Sequence, residues 1–513
     1  MVLAIIFLVL FAVSAGISIY RSVNLVKSPM IETDFAGFIK KNVLFVAAST
    51  VCFVVAAFGL AMWTKAELDF LHGFELAVGS LLFSSSFFVA VNCFILHYYG
   101  RNIPEKLDKW LFRFIIIGFC VALVFFFVFT NGLAPYLTYP LYSGISFTNG
   151  LVRPTDDVSP NIAFYALCIL SGAILVYFVC DHYMYKEYGE HGLLESTFFV
   201  AFPAGIIGAR IWYVVGNWNQ EFANQQFWHV FAIWEGGLTI LGGAIMGIVV
   251  GAAWYMWRNK GKSIWIPFDI ALPSILIAQA IGRWGNFFNC EVHGLTVSVE
   301  YWKWLPEIIW KNAQFSSTAM SLEHTNQMYV PLFFIECVSN LLGYFVLAHV
   351  FGRALRKHTE LGDVGFGYII WYGLTRVLME PLRSADYQMG QDGYWSWVWS
   401  MIFVVVGTLL IVANHLVRSF LRKKKNEYHV KENDKMVGII GSAVIVVIGA
   451  ALVITGASLM ANNQFETKVA YNGFNVGLIV LILGMSAFLC LGISLKKLFF
   501  ALNNKQQVAN EQI

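Results

Sequence analysis

Residues 111–131 read LFRFIIIGFCVALVFFFVFTN, with one charge, Arg113, near the start and eighteen uncharged residues after it. A run of that length, coiled as a helix at about 1.5 Å per residue, spans most of a hydrocarbon core of roughly 30 Å. The run does not alternate between apolar and polar residues, as the strand of a membrane β-barrel would. Similar runs recur along the 513 residues, at about 3–20, 43–63, 72–98, 161–183, 193–216, 231–257, 265–288, 331–352, 363–383, 396–417, 437–460 and 473–494. Composition agrees: 58% of residues are hydrophobic and 13% charged, about half the charge of a soluble domain. The expectation is an all-α, polytopic transmembrane bundle of about thirteen helices.

Charge sets an orientation. With the N-terminus outside, the cytoplasmic loops hold 24 of the 34 Lys and Arg residues, and the outer loops hold five: Lys65, Arg153, Lys303, Lys311 and Lys468. That asymmetry predicts N-out and C-in, as an odd helix count requires. No basic residue precedes the first apolar run, which is therefore expected to be a retained helix and not a leader. Five arginines remain. Arg113 can snorkel from a helix end. Arg210, Arg283, Arg376 and Arg383 lie in or close to the bilayer, where an arginine costs at least ~2.5–3.5 kcal/mol and needs a partner or a purpose.

No stretch of interleaved basic and aromatic residues suggests nucleic acid. The eight cysteines lie mostly inside apolar runs and show no pairing logic, and there is no CxxC, HExxH or Cys/His cluster, so no metal site is expected. The loop over 132–160 is rich in Gly, Pro and Ser, and the basic stretch RSFLRKKKNEYHVKENDK occupies 418–435. These divide the chain into an N-terminal extension (1–150, about four helices), a central block (151–420), and a C-terminal linker with two helices (421–513). The basic stretch reads either as a contact for anionic membrane lipids or as a solvated linker.

Polar motifs gather in the central block. In GYIIWYGLTRVLMEPLRSAD (367–386), Arg376, Glu380 and Arg383 are spaced four and three apart and can share one helical face. Two arginines against one carboxylate leave positive charge for an anionic ligand, and Pro381 disturbs the backbone at this point. In AQAIGRWGNFFNCEVHG (278–294), Gln279, Arg283, Asn286 and Asn289 recur at helical spacing beside Gly282 and Gly285. A guanidinium can fork two hydrogen bonds to a phosphate, and the amides can hold ester or hydroxyl oxygens. Such a face cannot be turned to lipid. In IWEGGLTILGGAIMG (233–247), two glycine pairs read either as tight helix packing or as a broken backbone whose N–H groups face the site. Arg210 needs Glu235 or another acid. Tyr165 sits where an aromatic belt is the ordinary reading.

At these residues the chain resembles the bacterial prolipoprotein diacylglyceryl transferases. Gly282 to Glu291 is similar to that family's G-R-x-G-N-F-x-N-x-E signature, and Tyr372 to Asp386 resembles its Y-G-x-x-R-x-x-x-E-x-x-R-x-P-D motif. Gly208-Ala209-Arg210, residues 234–243 and Tyr165 match weaker motifs, in family order, over about 155–420. The resemblance implies a seven-helix core and transfer of a diacylglyceryl group from phosphatidylglycerol to the lipobox cysteine of a prolipoprotein at the bacterial cell membrane, with glycerol 1-phosphate released and no cofactor. It implies catalytic roles for Arg283, Arg376, Glu380 and Tyr165, and lipid binding by Arg283, Asn286, Asn289, Arg376, Arg383, Arg210, Gly285 and Glu291. Departures are Leu241, where many members carry His or Tyr, Leu295 for an expected Arg, and Ala385 for Pro. A base at 241 is thereby excluded. The competing reading is a transporter or flippase for an anionic substrate, which would show a repeated half; none is found.

Overall fold

A computed structural model describes residues 46–58, 70–99, 105–146, 150–218 (except 155 and 157–160), 240–384 (except 355, 357 and 358) and 394–424, with short pieces of 10–20, 222–239 and 447–451. Seven of the described helices are long and apolar enough to cross a membrane: Leu71–His97, Leu107–Leu133, Phe164–Tyr188, Glu195–Gly216, Trp265–Asn289, Leu332–Arg353 and Val398–Arg418. The protein is therefore a mostly helical, multi-pass membrane protein. The helices expected over 437–460 and 473–494, and most of 3–20, lie outside the described residues.

The chain divides into two compact units. The first joins residues 1–141 to the excursion 296–329. It contains α1 (Val46–Phe58), α2 (Phe70–Tyr99) and α3 (Glu105–Leu133). Helices α2 and α3 form an antiparallel hairpin whose backbones nearly touch. A Cβ on Gly79 would fall 2.3 Å from the Phe129 nitrogen, and one on Gly132 would fall 2.4 Å from the Leu76 nitrogen. Phe53, Phe83 and Phe129 pack their rings between α1 and the hairpin. A pair between His97 Nδ1 and Asp108 Oδ1, at 2.5 Å, ties the hairpin near its turn. The excursion carries strands β4 (Thr296–Ser298) and β5 (Gln327–Tyr329), paired antiparallel, and the short helix α8 (Glu307–Asn312).

The second unit holds α4 (Phe164–Tyr188), α5 (Glu195–Gly216), α6 (Ile240–Arg258), α7 (Trp265–Asn289), α9 (Leu332–Tyr344), α10 (Asp363–Met379) and α11 (Tyr394–Lys424). Its loop over 142–163 is not structureless: β1 (Gly144–Ser146) pairs antiparallel with both β2 (Gly150–Val152) and β3 (Asn161–Ala163). Helix α7 is the hub, packed against α4, α9 and α10. Gly172 of α4 lets the Ala278 backbone of α7 approach, with a would-be Cβ 2.9 Å from Ala278 Cα. At the start of α7, Asp269 accepts the backbone N–H groups of Gly362 at 2.7 Å and Gly365 at 2.9 Å. It thus caps the N-terminus of α10 from a neighbouring helix.

Three expected helices take a different form. The run at 231–257 is broken: a 3-10 turn covers Phe227–Phe231, Gly237 has a φ of +66°, and the α-helix begins at Ile240. The run at 331–352 continues beyond Tyr344 as a π-helix over Phe345–Ala354. The run at 363–383 ends its α-helix at Met379 and tightens into a 3-10 turn over Glu380–Leu382. Pro381 accounts for the last, because its ring removes an N–H and blocks the carbonyl one turn back.

Candidate active site

The two polar motifs meet. Arg283, three-quarters along α7, points its Nε at Glu336 Oε2 of α9 in a close ion pair. Arg383 Nη2 donates to Glu336 Oε1 at 3.2 Å, and Arg376 Nη1 lies 3.8 Å from the same oxygen. One carboxylate thus gathers three guanidiniums from two other segments of the chain. Glu380 adds a second contact to two of them, 3.5 Å from Arg376 Nη2 and 3.8 Å from Arg383 Nε. Both carboxylates are buried, Glu336 at 5% exposure and Glu380 at 3%. Stripping water from these charges is costly, and their grouping is what makes the burial tolerable.

The direct contacts keep the surplus of one positive charge expected from two arginines and one acid. Three arginines face two carboxylates, and a third acid lies one hydrogen bond further out. Arg283 Nη1 donates to Asn286 Oδ1 at 3.3 Å. Asn286 and Asn289 each donate from Nδ2 to Glu291 Oε1, at 3.0 and 3.3 Å. The signature residues therefore form one connected chain from Glu336 through Arg283 and Asn286 to Glu291. The side chains differ in access: Arg283 and Arg376 are 20% and 19% exposed, Arg383 only 8%.

Local backbone holds this chain in place. Helix α7 stops at Asn289 because Cys290 turns into the left-handed region at φ +49°, and Val292 follows at φ +55°. A β-branched residue in that region is strained by about 1–3 kcal/mol. The turn returns to the other motif: Gly294 bridges Arg383, Leu295 N donates to Leu382 O at 2.9 Å, and Ser384 N donates to His293 O at 3.2 Å. The end that Pro381 breaks off α10 is thereby pinned to the signature turn, which fixes Arg383.

Tyr165 belongs here too. It is the second residue of α4 and packs on the bare face of Gly285, where a Cβ would meet Tyr165 Cδ2 at 2.3 Å and its Cα at 2.9 Å. Gln279, on the Arg283 face of α7, donates to the Tyr368 hydroxyl of α10 at 3.0 Å. His293 is buried, its Nδ1 against the Gly294 carbonyl at 3.3 Å.

Arg210 is held differently. It is buried, and its guanidinium donates to the carbonyls of Val230 at 2.9 Å, His229 at 2.5 Å and Gly237 at 3.2 Å. The rings of Phe222 and Tyr213 lie 5.3 and 5.8 Å away. Glu235, the acid expected beside it, lies outside the described residues, as does Asp386. The packing reading holds for the second glycine pair, and the backbone is broken beside the first. Gly242 and Gly243 pack against α5, with would-be Cβ atoms 2.5 Å from Gly208 O and 3.1 Å from Gly205 O. Gly237 lies in the broken backbone that Arg210 holds.

Glu336 was not among the residues singled out from sequence. The signal was present: it is one acid inside PLFFIECVSNLLGY (331–344) and costs as much to embed as an arginine. A census of embedded acids beside that of embedded bases finds it.

A multi-pass helical membrane protein with arginines and carboxylates interlocked where two helices end defines the class. The model of the prolipoprotein diacylglyceryl transferase family matches residues 158–413. Relatives named phosphatidylglycerol–prolipoprotein diacylglyceryl transferase from Streptococcus pneumoniae are similar to about half of the chain. Those of strains ATCC 700669 / Spain 23F-1 and JJA are each 34% identical over 282 residues, covering 53% of this chain and 95% of the relative. The chain belongs to the prolipoprotein diacylglyceryl transferase family.

Proposed function

We propose that this transferase moves the diacylglyceryl group of phosphatidylglycerol to the thiol of a lipobox cysteine on an exported prolipoprotein, forming a thioether and releasing glycerol 1-phosphate in lipoprotein maturation. Family membership supports the reaction and sets the transporter reading aside. The observation that carries the site assignment is the unequal access of three arginines on one carboxylate: Arg283 and Arg376 keep a fifth of their side chains accessible, while Arg383 is buried.

In this reading Arg283 and Arg376 hold the donor phosphate, with Arg383 and Glu380 fixing them from behind. Asn286 and Asn289, oriented through Glu291, line the headgroup side. The substrate thiolate attacks the diacylglyceryl carbon that bears the phosphate ester, and that carbon–oxygen bond breaks. Negative charge grows on the departing phosphate, where fixed guanidiniums stabilise it. The same cationic surroundings favour the thiolate over the thiol. Tyr165, seated on Gly285, shapes the wall of the site; Arg210 supports it by holding the 229–237 backbone. The core runs over 151–420, flanked by the extension 1–150 and the basic linker and helices of 421–513, for about thirteen spans. We place the N-terminus outside and the C-terminus in the cytoplasm, with the arginines towards the outer face of the bacterial cell membrane. The 24-to-5 split of basic residues supports that orientation.

The test is transfer to a lipobox peptide in vesicles with and without phosphatidylglycerol. Arg283→Ala is expected to abolish it; near-normal turnover by that variant overturns the assignment.

A further inference from the structure

The helices before residue 141 lie outside the family match and have no part in the chemistry above. Yet they fold as one unit with residues 296–329. That excursion leaves the chain five residues after Glu291 and returns it seven residues before Glu336.

Two amide side chains make the join. Asn131, in the last turn of α3, accepts at Oδ1 the backbone N–H of Glu307 at 2.9 Å. Glu307 is the first residue of α8, so an N–H that the short helix cannot pair internally is paired from α3. Asn312, the last residue of α8 and 2% exposed, accepts at Oδ1 the backbone N–H of Leu141 at 2.9 Å. Between them Lys311 pairs with Glu307 and lies 5.8 Å from the Tyr139 ring. Both ends of α8 are therefore held by residues 131–141. The holder is stiff, because Gly132 lets α3 lie backbone to backbone on α2.

The excursion needs such support. A six-residue helix is far below the ~12–15 residues that are even marginal alone in water. A single two-stranded ladder is likewise marginal. Their order comes from what they pack against.

We infer that the N-terminal extension is a built-in brace for residues 296–329, and that through them it keeps Glu291 and Glu336 in register with the arginine cluster. Asn131 and Asn312 are positioning residues. The second half of the inference rests on the transferase reading; the first does not.

The experiment uses the full-length protein in phosphatidylglycerol vesicles, as Asn131→Ala and separately Asn312→Ala. Asn131→Ala leaves the excursion's own sequence intact, so any change there must travel through the brace. Amide hydrogen exchange within 299–326 is expected to quicken by about ten-fold or more, the scale of one lost buried hydrogen bond, with residues 270–280 of α7 unchanged. The KM for phosphatidylglycerol is expected to rise while kcat stays near the parent value, because fewer molecules hold the assembled site. Unchanged exchange in the excursion for Asn131→Ala overturns the brace. Faster exchange with an unmoved KM overturns its link to the site. If the parent protein shows no transfer, the reaction assignment fails instead, and the exchange result still decides the brace.

Discussion

Arg283 of α7 and Glu336 of α9 form the closest ion pair of the cluster, and that pair links the signature motif to a helix bearing no recognisable motif of its own. Glu336 also touches Arg376 and Arg383, so it works as the common counter-ion of all three guanidiniums.

Glu336→Gln should therefore leave three buried or half-buried cations with Glu380 as their remaining direct carboxylate. Removing one partner of a buried pair costs about 3–5 kcal/mol. The expected result is a clear fall in thermal midpoint in detergent, partly restored by phosphatidylglycerol, whose phosphate supplies the missing negative charge. A midpoint unaffected by the lipid would show that the anion does not reach these arginines.

The outline of this cluster was legible in the sequence for a definite reason. Arginine in an apolar run is so costly that Arg283, Arg376 and Arg383 stand out without any structure. Their spacing placed Glu380 beside them, and Pro381 marked where α10 gives way. The counter-ion was harder to read. Glu336 comes from a helix more than fifty residues from Arg283, and no local periodicity links the two. The break in the run 231–257 was one of two readings open at its glycine pairs, and Gly237 decides for it with a positive φ. The pairing of residues 296–329 with the extension is written in two asparagines, Asn131 and Asn312, whose partners are backbone groups and so carry no sequence signal.

Two glycines of the signature, three residues apart, should answer oppositely to alanine. At Gly285 the new methyl would fall 2.3 Å from Tyr165 Cδ2 and 2.9 Å from its Cα, so α4 and α7 must part. Overpacking of this kind costs typically 1–3 kcal/mol. At Gly282 nothing lies within 4 Å of the added carbon. There the helical preference of alanine should stabilise by about 0.5–1 kcal/mol. Thermal midpoints of the two variants, with transfer assays, check the contrast; equal effects would mean that Tyr165 does not rest on Gly285.

Val292 sits at φ +55° in the turn that presents Glu291. Val292→Gly removes the steric cost of that conformation, and the thermal midpoint is expected to hold or rise. Transfer should fall, because a glycine no longer locks the turn that orients Glu291 towards Asn286 and Asn289. A large loss of stability in this variant would show that packing of the valine side chain outweighs its backbone strain.

The proposed roles make Arg210 a structural arginine and Arg376 one that meets substrate. Arg210 spreads its donors over three carbonyls that approach from different residues, a fork that lysine cannot reproduce. Arg210→Lys should lower the thermal midpoint and loosen hydrogen exchange around 227–237, with transfer declining only as folded protein is lost. Arg376 is a fifth exposed, and its ion-pair contacts are the longer ones, at 3.5 and 3.8 Å. Arg376→Lys keeps the charge and should leave the midpoint nearly unchanged, yet it loses the two-pronged grip on a phosphate. Its transfer rate should fall by about ten-fold or more, the scale of one charge-assisted hydrogen bond of roughly 1.5–3 kcal/mol. The two variants form a crossed test. If Arg210→Lys loses transfer at full stability while Arg376→Lys loses stability first, the roles assigned to these arginines are reversed.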